Sequence, residues 1–157
     1  MCGRYFLPLD EANGELAEVI RAVSEKYGGD QPLAAHGEIY PGQMVPTLAN
    51  SRKGEPGAYA MQWGMSRPFG GTGIVINARS ETADCKGMFR ESWAKRRCLL
   101  PAARYFEWER RGKEKVKYAI GLAGKAAFYL AGLYRYEPEE RFPRFVNLTK
   151  EAGAPNF

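Results

Sequence analysis

The strongest constraint on the fold is the series of short strand-like segments that fills the second half of the chain. They lie at residues 98–100, 104–108, 115–122, 126–133 and 144–148. Each is apolar or alternates between apolar and polar residues, and turn-forming residues separate them. We expect residues 115–122 and 126–133 to pair as a hairpin. The pattern predicts a mainly antiparallel, barrel-like sheet.

Two other segments predict helices at the edges of this sheet. Leu16, Val19 and Val23 recur at helical spacing. This spacing predicts an amphipathic helix over residues 10–27. Residues 86–95 predict a second, shorter helix. A length of 157 residues fits one domain, which we take as residues 1–157. The expected class is α+β, a mainly antiparallel barrel-like β-sheet with a few peripheral helices.

Composition and charge narrow the functional class. No apolar run approaches the roughly 18 residues of a membrane span, and the N-terminus lacks a signal-peptide pattern. We therefore expect no membrane contact and a cytoplasmic protein, nucleoid-associated in a bacterium or nuclear in a eukaryote. The three cysteines show no metal-ligand spacing, so we expect no metal and no cofactor. A monomer is the default expectation.

The net charge of +5 favours an acidic partner, of which nucleic acid is the commonest. Charge alone is weak support for this, because many basic enzymes bind no nucleic acid. A basic cluster over residues 110–117 fits a solvated hairpin turn better than a binding surface.

Residues 1–5, Met-Cys-Gly-Arg-Tyr, place a cysteine directly after the initiator methionine. Removal of Met1, which the small side chain of Cys2 permits, would free an α-amine beside a thiol. Such a pair captures aldehydes: the amine forms an imine, and the thiol then closes a thiazolidine ring. The amine titrates near 7.7–8.0, so part of it is neutral at physiological pH. Taken alone, Cys2 fits a small apolar residue at the start of a buried strand better.

Polar residues also follow an apolar strand where a plain core would exclude them. Residues 74–76 are apolar and lead directly into Asn77 and Arg79. Residues 61–65 place Trp63 between methionines and beside a glycine. This segment fits a core strand more often than a platform for a stacked base, although it suits either.

Glu107 is a carboxylate wedged between aromatic residues. By strand alternation it shares a face with Tyr105, while Phe106 and Trp108 share the other face. Such a carboxylate either faces solvent or is held beside a reacting centre with a raised pKa. Both interpretations stay open from the residues alone.

Six short motifs occur together and in a fixed order. They lie at residues 1–5, 40–43, 61–65, 77–82, 97–102 and 106–108. In this order the sequence resembles the SRAP family, the SOS-response-associated peptidase domains that shield abasic sites in DNA. The resemblance covers nearly the whole chain, and six motifs in register make chance similarity improbable.

The resemblance implies three catalytic residues: Cys2, Asn77 and Glu107. Cys2, after loss of Met1, would form a thiazolidine with the ring-opened aldehyde of an abasic site in single-stranded DNA. Asn77 would hold the amine or the sugar hydroxyls. Glu107 would act as acid and base in imine formation and in reversal of the crosslink.

The resemblance also implies a set of DNA contacts at Arg4, Trp63, Arg79, Ser80, Met88, Trp108 and Thr149. The arginines suit phosphate groups. The tryptophans would serve as walls or stacking surfaces, and the methionine as an apolar wedge near the DNA path.

The sequence departs from the family at its C-terminal end. The family continues to a His-x-Arg-Met-Pro motif, whose histidine assists opening of the deoxyribose ring and the lyase chemistry. This sequence ends before that segment, and its single histidine, His36, does not match the motif position. We therefore expect a shortened domain that crosslinks more slowly than an extended form.

Two alternative functions stay open. An autoprocessing thiol peptidase, as the family name suggests, would use the same residues to expose Cys2. Against a general protease, the sequence shows no histidine positioned to activate the thiol. A non-catalytic single-stranded DNA-binding module is the second alternative, and it predicts binding that falls steeply with salt.

Overall fold

The computed structural model describes residues 1–8, 14–27, 29 and 32–151. In this part of the chain the strands are β1 (Tyr5–Leu7), β2 (Gly37–Ile39), β3 (Met44–Asn50), β4 (Pro56–Trp63), β5 (Met65–Ser66), β6 (Ile74–Val75), β7 (Asn77–Arg79), β8 (Arg97–Ala102), β9 (Arg104–Arg111), β10 (Glu114–Ile120), β11 (Phe128–Arg135) and β12 (Arg144–Thr149). The helices are α1 (Gly14–Tyr27) and α2 (Arg90–Lys95), with a short 3-10 turn at Pro68–Gly70.

Five strands close into a barrel. They are hydrogen-bonded in the order β11-β8-β3-β4-β12, and β12 pairs back with β11. Most of these pairs are antiparallel, but β12 runs parallel to β4 and to β7, which lies outside the barrel strands. A second sheet has the order β10-β9-β1-β2. The predicted α+β class with a mainly antiparallel, barrel-like sheet is confirmed.

The core lies inside the barrel and is built from the inward-facing residues of alternating strands. Trp63 is fully buried and stacks on Phe145, with ring centroids 6.1 Å apart and an angle of 9° between the planes. Tyr5, at a centroid distance of 5.4 Å, covers another side of the indole. This aromatic cluster fixes the strand β1, and therefore the N-terminus, against the barrel.

One predicted pairing is wrong. Strand β10 pairs with β9, with Glu114 opposite Arg111, and β11 pairs instead with β8 and β12. The turn between β9 and β10 is short, and Gly112 has a φ of 61° that glycine adopts readily. Strand β11 buries Leu133 in the core, whereas β10 is mostly exposed, so the two belong to different layers. The basic residues 110–117 do lie in a hairpin, as predicted.

Helix α1 buries an apolar stripe formed by Leu16, Val19 and Val23, as the sequence spacing predicts. Residues 10–13 of the predicted helix lie outside the described residues. Helix α2 is shorter than predicted, because residues 80–89 form turns and no side chain caps its start. Among the described residues, no helix is both long and apolar enough to span a membrane.

Candidate functional site: the surroundings of Cys2

Strand β1 carries the N-terminus along the edge of β9. Tyr5 lies opposite Tyr105, and the backbone N–H of Phe106 donates to the Arg4 carbonyl at 2.9 Å. Continuing in this antiparallel direction, the chain end reaches Glu107. The amine of Met1 lies 3.3 Å from each carboxylate oxygen of that residue. The terminal nitrogen of the chain therefore sits beside a carboxylate.

The Cys2 side chain is buried, with 6% of its surface exposed. Its sulfur lies 3.5 Å from the Arg4 carbonyl oxygen and accepts a hydrogen bond from Nδ2 of Asn147 at 3.7 Å. Burial raises the pKa of the thiol, and the negative charge of Glu107 adds to the rise. Hydrogen bonds with the Arg4 backbone and with Asn147 oppose it. The thiol is thus mainly protonated at neutral pH.

Glu107 occupies the face of β9 that strand alternation predicts. It shares this face with Tyr105, whose pKa is raised by burial and by the Glu107 charge. Phe106 and Trp108 share the other face, where the Lys117 ammonium lies over both rings, at 4.1 and 5.7 Å. The Glu107 side chain is 33% exposed, so it reaches solvent while facing the chain terminus.

Asn77 lies at the start of β7, in parallel register with Asn147 of β12. The Ile76 carbonyl accepts the indole N–H of Trp63 at 3.1 Å and the backbone N–H of Asn147 at 3.0 Å. These two bonds fix the backbone just before Asn77. Both polar atoms of the Asn77 amide are buried and have no hydrogen-bond partner among the described residues. Buried amide atoms of this kind are normally hydrogen-bonded, so their lack of a partner in this part of the chain points to a missing one.

Three of the predicted DNA-binding residues lie together at the ends of β7 and β12. Arg79 is opposite Thr149 in the strand register, and the backbone N–H of Ser80 donates to the Thr149 carbonyl at 2.8 Å. Arg79 is exposed and lies two residues after Asn77, so both side chains share one face of the strand. The backbone positions of Arg79 and Asn77 thus lie about 7 Å apart along the strand.

Arg4 and Trp108 form a second group on the other side of the chain end. The Arg4 guanidinium lies between two rings, 4.2 Å from the centroid of Tyr40 and 5.0 Å from that of Trp108. It also pairs with Glu38 at 3.4 Å, while its buried Nε has no partner among the described residues. Trp108 is 37% exposed, and a base could stack on it.

Two predicted DNA contacts lie elsewhere. Trp63 is fully buried, so in this arrangement it is a wall beneath the site and has no exposed face for stacking. Met88 is partly buried against a cluster that includes Ala78 and Val146. Those residues lie on the sheet face opposite Asn147, so the structure does not bring Met88 to Cys2.

Sequence reasoning missed Asn147, which is 2% exposed and within hydrogen-bond distance of the Cys2 sulfur. A signal for it exists. Asn147 interrupts the otherwise apolar run of residues 145–148, the same kind of anomaly that singled out Glu107.

One cavity of the molecule lies away from this site. It has a volume of about 600 Å³ and is lined by residues such as Tyr59, Arg96 and Tyr134, with none of the predicted site residues. In the part of the chain that the structure describes, no three His, Cys, Asp or Glu side chains form a metal-binding group.

Comparison of the sequence with known proteins identifies a matching family and several similar proteins. The sequence matches the family described as SOS response associated peptidase (SRAP) over residues 1–155. It is 32% identical over 149 residues to abasic site processing protein YoqW of Bacillus subtilis, which covers 85% of this chain and 60% of that protein. With abasic site processing protein YMR114C of Saccharomyces cerevisiae the identity is 25%, over 96% of this chain and 48% of the yeast protein. The chain thus spans about half to three-fifths of the length of these relatives.

Solved structures share the fold. A protein of Bacteroides thetaiotaomicron superposes with a TM-score of 0.72 at 24% identity, over 95% of this chain and 68% of that one. A protein of Bordetella bronchiseptica gives a TM-score of 0.69 at 26% identity, over 96% and 73%. Together with the match over residues 1–155, these likenesses confirm the resemblance that the motifs indicated: the chain belongs to the SRAP family.

Proposed function

We propose that this chain captures abasic sites in single-stranded DNA through a covalent bond to Cys2, once Met1 has been removed. The observation that carries the proposal is the position of the chain end, where the terminal amine lies 3.3 Å from Glu107 and the Cys2 sulfur is buried next to it. The names of the relatives support it, since YoqW and YMR114C are abasic site processing proteins. They favour an enzyme that processes DNA at abasic sites.

The covalent bonds that form and break belong to Cys2 and the aldehyde alone. The free amine of Cys2 attacks the aldehyde carbon of the ring-opened abasic site, and the resulting carbinolamine loses water to give an imine. The Cys2 sulfur then bonds to the imine carbon, while the electron pair of the C=N bond moves to nitrogen, which takes up the thiol proton. One amine, one thiol and one aldehyde give one thiazolidine and one water.

Glu107 serves as the proton shuttle of this sequence. Removal of Met1 makes Cys2 the terminal residue, and the charge of Glu107 already acts on the Cys2 side chain. The Glu107 carboxylate would take the proton that the attacking amine loses and pass it to the carbinolamine hydroxyl, which leaves as water. Reversal of the crosslink would run the same proton transfers backwards. The unpartnered Asn77 amide would hold the sugar hydroxyls, and Arg79 the neighbouring phosphate.

A denaturing gel tests the proposal. The protein, with loss of Met1 verified by intact mass, is incubated with single-stranded DNA that carries one abasic site, beside Cys2→Ala. We expect a shifted band that survives denaturation and is absent in the variant. If no band forms although Met1 is absent, covalent capture is wrong and the non-catalytic DNA-binding module takes its place. Release of Met1 by purified protein alone, blocked in Cys2→Ala, would favour the autoprocessing peptidase.

A further inference from the structure

Asn147 is a polar side chain in a buried position, where an apolar residue would stabilise the folded state more. Its neighbours along β12, Phe145 and Val146, are fully buried, and Asn147 itself is 2% exposed. Its Oδ1 atom is buried and has no hydrogen-bond partner among the described residues. A buried amide with an unsatisfied oxygen destabilises the folded state, so its presence points to a role in binding or reaction.

The single hydrogen bond of the Asn147 side chain goes, among the described residues, to the sulfur of Cys2 at 3.7 Å. The backbone of Asn147 is held independently, because its N–H donates to the Ile76 carbonyl at 3.0 Å. The amide is therefore mounted on a fixed strand and aimed at the sulfur of the residue that would react.

The partner in register strengthens this assignment. Asn77 lies opposite Asn147 in the parallel pair of β7 and β12, so the two side chains leave the sheet on the same face. Neither polar atom of Asn77 has a partner among the described residues, nor does Oδ1 of Asn147. Three amide atoms without a partner in the described part of the chain thus lie on the face of the β7–β12 pair from which Asn147 reaches the Cys2 sulfur. Such a set suits the hydroxyl groups of an opened sugar.

We propose that Asn147 is the positioning residue of Cys2: its amide N–H donates to the sulfur and holds it toward the aldehyde carbon. This role rests on the proposed capture of abasic sites for its purpose, but the contact with the thiol exists without DNA. The amide also favours the thiolate over the thiol, in agreement with its lowering effect on the Cys2 pKa. Asn147 thereby opposes part of the effect of burial.

The test measures the thiol first and the crosslink second. In a Cys85→Ser background, which removes an exposed thiol, the rate of Cys2 alkylation by iodoacetamide is followed against pH. Asn147→Leu removes the hydrogen-bond donor to the Cys2 sulfur. The half-point, the pH at which alkylation reaches half its maximal rate, should therefore move to higher pH, and the alkylation rate at pH 7 should fall about three- to tenfold. Asn147→Asp keeps the shape but adds a negative charge and should shift the half-point further. Asn50→Asp, on an exposed residue at the end of β3, is the matched control and should shift nothing.

The outcomes separate the two proposals. An unchanged alkylation profile in folded Asn147→Asp would overturn the positioning role. A shifted profile together with a wild-type protein that forms no crosslink would leave the positioning role standing and reject the capture of abasic sites. If both hold, crosslinking by Asn147→Leu should slow at least as much as its alkylation. Should Asn147→Leu fail to fold, the isosteric Asn147→Asp decides alone.

Discussion

Cys2 and Cys98 are both buried thiols, 6% and 3% exposed, but their surroundings differ. Cys98 lies in β8 between two strands, directly opposite Gly132 of β11, and burial alone raises its pKa far above the ordinary value. Cys2 lies at the chain end, where the Arg4 backbone and the Asn147 amide oppose the effect of burial. Burial is thus common to both thiols, and the polar neighbours distinguish them.

The comparison shows why a nucleophile can be placed in a partly apolar site. A thiol enclosed by apolar atoms stays protonated and inert, as expected for Cys98. At Cys2 the same enclosure would exclude water from the imine of the proposed reaction, while the hydrogen bond from Asn147 favours the thiolate. The position next to the chain terminus adds the amine, which no internal cysteine has.

The largest expected difference is in access to alkylating reagents. Cys2 adjoins Met1, which is 88% exposed, so fraying of the chain end exposes its sulfur. Cys98 becomes accessible only when the barrel opens. With global stabilities of about 5–15 kcal/mol, we expect Cys98 to react at least about a thousandfold more slowly than Cys2. Peptide mass mapping after timed exposure to iodoacetamide measures both rates in one sample.

The dependence on pH sharpens this result. Because its pKa is raised, Cys2 stays mainly protonated through the neutral range, and its rate should rise about tenfold per pH unit. Similar alkylation rates for Cys2 and Cys98 would contradict the predicted difference in access between the two thiols.

Substitution of Glu107 should affect the two reactions of Cys2 in opposite directions. In Glu107→Gln the proton shuttle is lost, so crosslinking to abasic DNA should slow by roughly a hundredfold. The same change removes a negative charge that raises the Cys2 pKa, so alkylation at neutral pH should become slightly faster. Parallel assays on one preparation measure both rates.

Glu109→Gln is the control for this variant. Glu109 lies two residues further along β9, pairs with Arg111 at 2.9 Å and is exposed. Its loss should change neither rate. A fall in both rates for Glu107→Gln would indicate a disturbed chain end and contradict the role of proton shuttle.

The sequence pattern predicted the barrel because inward and outward residues alternate along each strand, and it placed Glu107 on the correct face for the same reason. Alternation does not identify the neighbouring strand, which is why the pairing of residues 115–122 was wrong. It also left Asn147 unnoticed. The importance of this residue arises from its register with Asn77 and its approach to Cys2, contacts between segments far apart in sequence.

Packing around Cys98 gives an effect on stability and none on chemistry. A Cβ atom on Gly132 would lie 2.9 Å from the Cys98 sulfur and 3.0 Å from the Val146 carbonyl oxygen. Gly132→Ala should therefore lower the free energy of unfolding by about 1–3 kcal/mol. Chemical denaturation measures this, with Gly87→Ala, where a Cβ meets nothing within 4 Å, as the control.

A double-mutant cycle assigns the cause. If the sulfur is the obstacle, the effects of Gly132→Ala and Cys98→Ala should combine to less than their sum. Strict additivity would place the strain at the Val146 carbonyl instead.

The smallest expected effect concerns non-covalent DNA binding, the step that precedes capture by Cys2 in the proposed function. Arg79 is exposed and lies on the same strand face as Asn77, so it suits one phosphate of the bound strand. Arg79→Ala should reduce the slope of log affinity against log salt by about 0.7, measured with undamaged single-stranded DNA. Lys53→Ala is the control, because Lys53 lies in the turn between β3 and β4, at the end of β4 remote from Trp63. If Lys53→Ala changes the slope as much as Arg79→Ala does, the DNA binds to positive charge in general and not to a defined site at Arg79. Specificity for the abasic site would then come from the covalent step at Cys2 alone.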